Sequence, residues 1–144
     1  MFKKNMFLII LAGMLHMLVS PLAVYANTDY PYFPQASEYI RSATAGITPQ
    51  GNGKLLVQNQ LGATRTVDKL GIKTLKIQTL RNGSWQTIDT PVSGNYSYNT
   101  GTYIYNFYYY GTPGTQYRSY VEFYVENNGG SETKIVTSSP KVAN

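Results

Sequence analysis

Gln116-Tyr117-Arg118-Ser119-Tyr120-Val121-Glu122-Phe123-Tyr124-Val125-Glu126 alternates without a break. Tyr117, Ser119, Val121, Phe123 and Val125 fall on one parity, and Arg118, Tyr120, Glu122 and Tyr124 on the other. A period of two marks a strand with one face in a core and the other toward water. The same texture extends in both directions. Downstream, Asn127 to Ser131 reads as a turn, and Glu132 to Ser138 as a last strand with Ile135 buried on one face and Val136 on the other. Upstream, Glu38 to Thr48 sets Tyr39, Ala43, Ala45 and Ile47 on one parity. Gln50-Gly51-Asn52-Gly53 then turns the chain into Lys54 to Leu61, where Leu55 and Val57 alternate with polar residues. The two runs are expected to form a hairpin.

Ala63 to Asp68 is Thr-rich and is expected to bend between sheets. Leu70 to Leu80 follows, with Leu75 and Ile77 on one parity and Ile72 and Leu80 on the other. Asn82-Gly83 suits the positive φ angles of a type I′ hairpin turn. Ser84 to Thr90 carries Trp85, expected in the core, and Pro91 to Gly101 is expected to be a loop or a weak edge strand. No stretch shows the apolar stripe of an amphipathic helix. Short strands with turn signals about every ten residues predict an all-β chain, an antiparallel β-sandwich of about seven strands. A small β-barrel is the alternative architecture.

The chain has 144 residues, no Cys and one His. Met1 to Ala26 reads as a secretory signal peptide: Lys3 and Lys4 begin it, Met6 to Val19 is apolar, and Val24-Tyr25-Ala26 is a small-residue cleavage site. Asn27 to Ser37, with Pro31 and Pro34, is expected to be an extended N-terminal segment, and residues 38–144 a single domain. Removing the 26 leader residues takes away His16 and all four Met and leaves 118 residues. The expected location is therefore extracellular, free or associated with the cell surface, with no membrane span after leader cleavage.

Without His or Cys, a Ser–His or Cys nucleophile is ruled out, as are the usual zinc, copper and haem ligand sets. No cofactor or metal is expected. No carboxylate pair is favoured: Glu122 and Glu126 share a strand parity and stand ~13 Å apart at ~3.3 Å per residue, too far for a glycosidase pair. Gly51-Asn52-Gly53-Lys54 lacks the length and following helix of a phosphate loop and reads as a hairpin turn. The basic residues are scattered rather than striped, which argues against nucleic acid. A non-enzyme is expected, and a hydrolase using carboxylates is the weakest of the alternatives.

Tyrosine is the unusual feature, with 14 in the chain. Thr102-Tyr103-Ile104-Tyr105-Asn106-Phe107-Tyr108-Tyr109-Tyr110 is aromatic on both parities, yet only one face of a two-layer sandwich is core. One reading is structural, since Tyr suits pleated strands and cross-strand pairs. The other is recognition. Exposed Tyr offers a flat apolar face with a hydroxyl at its edge, suited to stacking on a sugar ring or packing on another protein. The candidate binding surface is Tyr108, Tyr110, Tyr120 and Tyr124. The same uncharged stretch has the profile of a self-associating edge strand.

Tyr117-x-Ser119-x-Val121-x-Phe123-x-Val125-x-Asn127 with Gly129-Gly130-Ser131 resembles the penultimate strand and closing turn of fibronectin type III domains. The resemblance implies a fibronectin III- or Ig-like sandwich in which Tyr117 makes a hydrogen-bonded corner. The leader, Tyr39-Ile40-Arg41-Ser42-Ala43, Gly51-Asn52-Gly53-Lys54, Ala63-Thr64-Arg65-Thr66-Val67-Asp68 and Asn82-Gly83-Ser84-Trp85 together resemble a group of small secreted proteins of Gram-positive, Firmicutes-type bacteria. That resemblance implies a compartment and a fold but carries no activity. The expected function is a secreted, non-catalytic binding or structural module. Its Tyr-rich face would meet cell-wall glycan, a surface protein or a second copy of the chain. An extracellular inhibitor or partner protein, acting through loops at Asp68 to Gly71 and Gly111 to Thr115, is the alternative.

Overall fold

The structure is a computed structural model that describes residues 37–144; the leader and all of the N-terminal segment except Ser37 lie outside the described residues. Six strands form: β1 (Ile40–Gly51), β2 (Lys54–Arg81), β3 (Ser84–Tyr110), β4 (Gln116–Asn127), β5 (Gly130–Thr137) and β6 (Lys141–Val142). Every pairing is antiparallel, and the described residues contain no helix. Asn52-Gly53 and Asn82-Gly83 both take positive φ and turn the β1–β2 and β2–β3 hairpins, as their composition requires.

The fold is built on one long bent ribbon. β2 and β3 pair from Arg81↔Ser84 to Lys54↔Tyr110, but the register breaks between Val67↔Thr100 and Gly62↔Thr102. Ala63 to Thr66 therefore stand opposite the single residue Gly101, and the surplus chain on β2 bends the ribbon there. On the other edge of β2, β1 pairs with its first half and β4 with its second. One layer is thus β1, residues 54–63 and residues 102–110; the other is β5, β4, residues 67–81 and residues 84–100. These are seven main segments, with the two-residue β6 paired to the start of β4, and the sheet curls around one core in a way that fits both a sandwich and a small barrel. Of the two readings for Pro91 to Gly101 the edge strand holds and the loop does not, because Asn95 to Thr100 stay paired to β2 up to the bend.

Alternation decides the core. Tyr117, Ser119, Val121, Phe123, Val125 and Asn127 of β4 are buried, and the residues between them are half-buried. They meet Leu55, Val57 and Leu61 from one layer and Leu70, Ile72, Leu75 and Ile77 from the other. The split parity of Ile72 against Leu75 and Ile77 is resolved by a bulge, where Lys73 and Thr74 together span the step from Phe123 to Glu122. The extra residue turns all three side chains inward. Leu80 lies past this set and is exposed. Ile135 is also exposed, at 55 %, because it stands opposite Glu122 on the outward face, whereas Val136, opposite Val121, leans on the core.

Side chains close the seam between the layers. Glu132 of β5 accepts the backbone N–H of Tyr39 at 2.8 Å and of Ile40 at 3.1 Å, together with the Ser37 hydroxyl. Burial pushes the Glu132 carboxyl up, but these hydrogen bonds and the Lys134 charge outweigh it and hold it below its ordinary value of 4.5. A carboxylate with a depressed pKa stabilises the fold above its unfolded value, and the contribution disappears as pH falls through the folded value. Glu132→Gln should lose on the order of 1 kcal/mol at neutral pH for this part-exposed site. Its urea midpoint should then fall less steeply than that of the wild type below about pH 4.5. Parallel curves from pH 7 to pH 3 would show that the seam does not depend on this charge.

Candidate binding site

The outer face of the three-segment layer carries two of the four singled-out tyrosines. Tyr108 is 52 % exposed and Tyr110 70 % exposed, on the parity that also exposes Ile104 at 61 %. Tyr103, Tyr105, Phe107 and Tyr109 take the inner parity, Tyr103 buried and the others half-buried against the core. Burial pushes the Tyr103 hydroxyl up to about 12, with a further push from Tyr105. Its oxygen has no hydrogen-bond partner.

Tyr120 and Tyr124 do not extend this surface. They lie on the outer face of the other layer, and the two layers meet through inward rings such as Tyr109 and Tyr117, 6.0 Å apart. The two pairs of tyrosines therefore point to opposite sides of the sandwich. Tyr124 is also engaged within the fold. Its ring meets Tyr96 edge-on at 5.9 Å, Lys69 Nζ lies 4.3 Å from the Tyr96 centroid and 5.4 Å from that of Tyr124, and its hydroxyl donates to Glu126 at 2.8 Å. Lys76 Nζ sits 5.5 Å from the Tyr120 centroid. Trp85 belongs to this same outer face rather than to the core. It pairs with exposed Leu80, and the Arg118 guanidinium lies 4.3 Å from its ring centroid.

Beside Tyr108, the outer face of the first layer dips into a concavity of about 370 Å³ lined by Thr44, Ala45, Gly46, Gln58, Asn59, Gln60, Ile104 and Asn106. Three strands supply it at one level: Gly46 pairs with Gln58, and Gln58 with Asn106. The volume is at the small end of the roughly 300–1,000 Å³ of small-molecule sites. No lining residue carries a charge. Its polar groups are carboxamides and a hydroxyl, each able to donate and accept. Ile104 gives it one apolar lip, and Tyr108 follows Asn106 on the same parity just beyond.

Gly46 makes the dip. Its φ is not in the left-handed region, and a Cβ placed there would meet nothing closer than Gln58 Cβ at 3.9 Å. Neither backbone conformation nor packing requires glycine at this position, and a side chain would occupy the floor. Neighbouring contacts are loose. Thr48 Oγ1 donates to Gln58 Oε1 at 3.3 Å, and Asn106 Oδ1 accepts the Asn59 N–H at 3.2 Å. Lys54 Nζ lies 3.7 Å from the Tyr108 centroid, a cation held over one face of the ring.

No known family, characterised protein or solved structure matches the chain. The face is therefore read from its own chemistry. The carboxamides Gln58, Gln60 and Asn106 were not singled out from the sequence, although they share the outer parity of their strands with the tyrosine that was. Among the described residues no group of carboxylates could hold a metal ion. Glu122 is paired with Lys73 at 2.9 Å, and Glu126 accepts from Tyr124. Asp68 to Gly71 is not a loop but the interior of β2, where Asp68 accepts the Asn128 N–H at 2.8 Å. Only Gly111 to Thr115 remains of the two loops expected to contact a partner.

Proposed function

We propose that the protein is an exported, non-catalytic binding module that takes uncharged cell-wall glycan on the outer face of its three-segment layer. The observation that carries this is Gly46, a mid-strand glycine with no backbone reason to be one, which opens an uncharged, carboxamide-lined concavity beside an exposed tyrosine. Sugar hydroxyls need partners that both donate and accept, which carboxamides provide, and a pyranose ring needs a flat apolar face, which Tyr108 provides. The basic and apolar leader of Met1 to Ala26 supports export. Kinship with fibronectin III-like sandwiches is part of the same reading. It is supported by the seven antiparallel segments and by Tyr117, whose hydroxyl accepts the Thr112 N–H five residues upstream at 2.9 Å.

The test is calorimetric titration with soluble cell-wall oligosaccharides. Gly46→Val fills the floor with a residue that suits a strand, so the variant should melt as the wild type does yet lose binding. Gln60→Ala should weaken binding about tenfold, the effect of one lost hydrogen bond to a bound ligand. Tyr108→Ala should do so at least as strongly. A folded Gly46→Val variant that binds like the wild type would remove the concavity from the reading.

A further inference from the structure

A sheet edge is a template for another strand, and most edges carry something that prevents pairing. The two layers present four lateral edges. That of β1 holds Arg41 and Pro49; that of β5 is short and holds Glu132 and Lys134. Residues 84–100 hold Asp89 and Pro91, positive φ at Gly94 and Asn99, and two register breaks around Ile77. Residues 102–110 hold none of these. They contain no charge, proline or glycine, no residue with positive φ, and nine consecutive pairs with β2 in unbroken register. Among the described residues β3 pairs with β2 alone, so the far side of this segment is open.

The backbone groups on that side can be identified. The Gly111 N–H donates to Gly53 O, which sets the odd residues of this segment toward β2. Thr102, Ile104, Asn106, Tyr108 and Tyr110 therefore direct their N–H and C=O groups outward. An antiparallel copy of the same segment offers the matching set. With the two-fold axis at Asn106 the whole run pairs: Thr102 with Tyr110, Ile104 with Tyr108, and Asn106 with itself.

We propose that two copies of this chain join through residues 102–110 as antiparallel neighbours about a two-fold axis at Asn106. The pairing accounts for aromatic side chains on both parities. On the outer face it sets Ile104 against Tyr108, a β-branched and aromatic cross-strand pair. On the inner face it covers the exposed parts of Tyr105, Phe107 and Tyr109, which the core leaves half-buried. With each aromatic side chain worth roughly 150–250 Å² when fully covered, the joined strands bury on the order of 1,000 Å², the size of a weak, reversible dimer. A second copy fits better than a foreign strand because the segment is complementary to itself in both hydrogen bonding and lack of charge. The pairing does not depend on any ligand. It would also bring two concavities side by side, since Ile104 and Asn106 line each of them.

The experiment is size-exclusion chromatography with light scattering on the purified protein at about 100 μM, well above the micromolar dissociation expected for an interface of this size. The expected result is twice the chain mass, falling toward one chain on dilution. Ile104→Lys, a charge on an exposed position, should leave the melting curve in place and give a monomer. The chain has no Cys, so single thiols report the register. Under oxidation Asn106→Cys should form a covalent dimer, its two Cα atoms being ~5.5 Å apart in a hydrogen-bonded pair and within disulfide reach. Tyr110→Cys should not, since its two copies stand eight positions apart, ~27 Å at ~3.4 Å per residue. A monomeric wild type overturns the proposal, whether the edge is then left bare or covered by the chain's own N-terminal residues. So does a dimer that survives Ile104→Lys, or one that links through position 110 and not 106.

Discussion

Gly71→Ala should destabilise the protein by ~3–5 kcal/mol, the range of the most damaging single substitutions. Gly71 lies in the middle of β2, paired with Tyr96 on one side and Tyr124 on the other. A Cβ there would sit 2.8 Å from Tyr96 Cα and closer still to the carbonyl oxygen of Asn95. Both are backbone atoms, so no side chain can swing aside; β3 itself would have to move off β2. The rings of Tyr96 and Tyr124 meet across the bare glycine, with the Lys69 ammonium against both, and that cluster would part with the strands. At ~4–8 °C per kcal/mol for a domain of this size, the melting temperature should fall by more than ~12 °C. Gly46→Ala is the control. It is the same chemical change on a strand with room for the methyl group, and it should be neutral or add ~0.4–1 kcal/mol by restricting the unfolded chain. A Gly71→Ala protein that melts within a few degrees of the wild type would mean that β3 yields easily at this point.

The parts of the fold readable from the sequence are those where one local rule acts alone. β4 alternates because its own backbone has no bulge and one of its faces lies on the core from end to end, so it is legible residue by residue. Asn52-Gly53 and Asn82-Gly83 declare their turns because few other residues accept their φ angles. The Thr-rich stretch Ala63 to Asp68 declares a bend, and the register breaks within it, between Gly62 and Val67. What escaped is what pairing decides. Pro91, Gly94 and Asn99 leave loop and weak edge strand both open, and only the pairing with β2 decides for the edge strand. The Lys73–Thr74 bulge makes two opposed parities into one face, which no count of periods reveals. Trp85 was expected inside on hydrophobicity alone, whereas its partner Leu80 puts it on the outer face with Arg118.

The candidate site was half legible. Two aromatic parities on one strand require that one be exposed without saying which, and the structure exposes the parity of Tyr108 and Tyr110. Grouping them with Tyr120 and Tyr124 assumed that like parities share a surface. The bend breaks that assumption, because it turns the outer faces of the two layers apart. The carboxamide concavity was beyond sequence reasoning, since it exists only where three strands set Gly46, Gln58 and Asn106 abreast.

Tyr117→Ala should cost ~3–5 kcal/mol, the usual range for emptying a buried aromatic site. The loss falls at the end of the sandwich where the chain passes between layers. Tyr117 is buried at the start of β4, with its ring edge-on to Tyr109 of the facing layer. Its hydroxyl accepts the Thr112 N–H at 2.9 Å, and its ring fills the space beside Gly111, where a Cβ would come within 2.5 Å. It thus fixes the loop Gly111 to Thr115 that carries β3 into β4. That loop in turn holds the C-terminus, through Gly114 N–H to Ala143 O and Ala143 N–H to Thr115 O, and Asn144 O accepts from Gly53 at the neighbouring β1–β2 hairpin turn. Removing the ring should loosen all of these together, so amide exchange should quicken at Gly53, Gly114 and Ala143 as well as at Thr112. Tyr117→Phe separates the two contributions. It keeps the ring and its contact with Tyr109 but leaves the part-buried Thr112 N–H without its acceptor, and it should cost only ~1–2 kcal/mol with exchange quickened chiefly at Thr112. If both variants lose the same stability, the hydroxyl rather than the ring secures this end of the sandwich. If Tyr117→Phe is neutral, the corner is a matter of packing and the hydrogen bond follows from it.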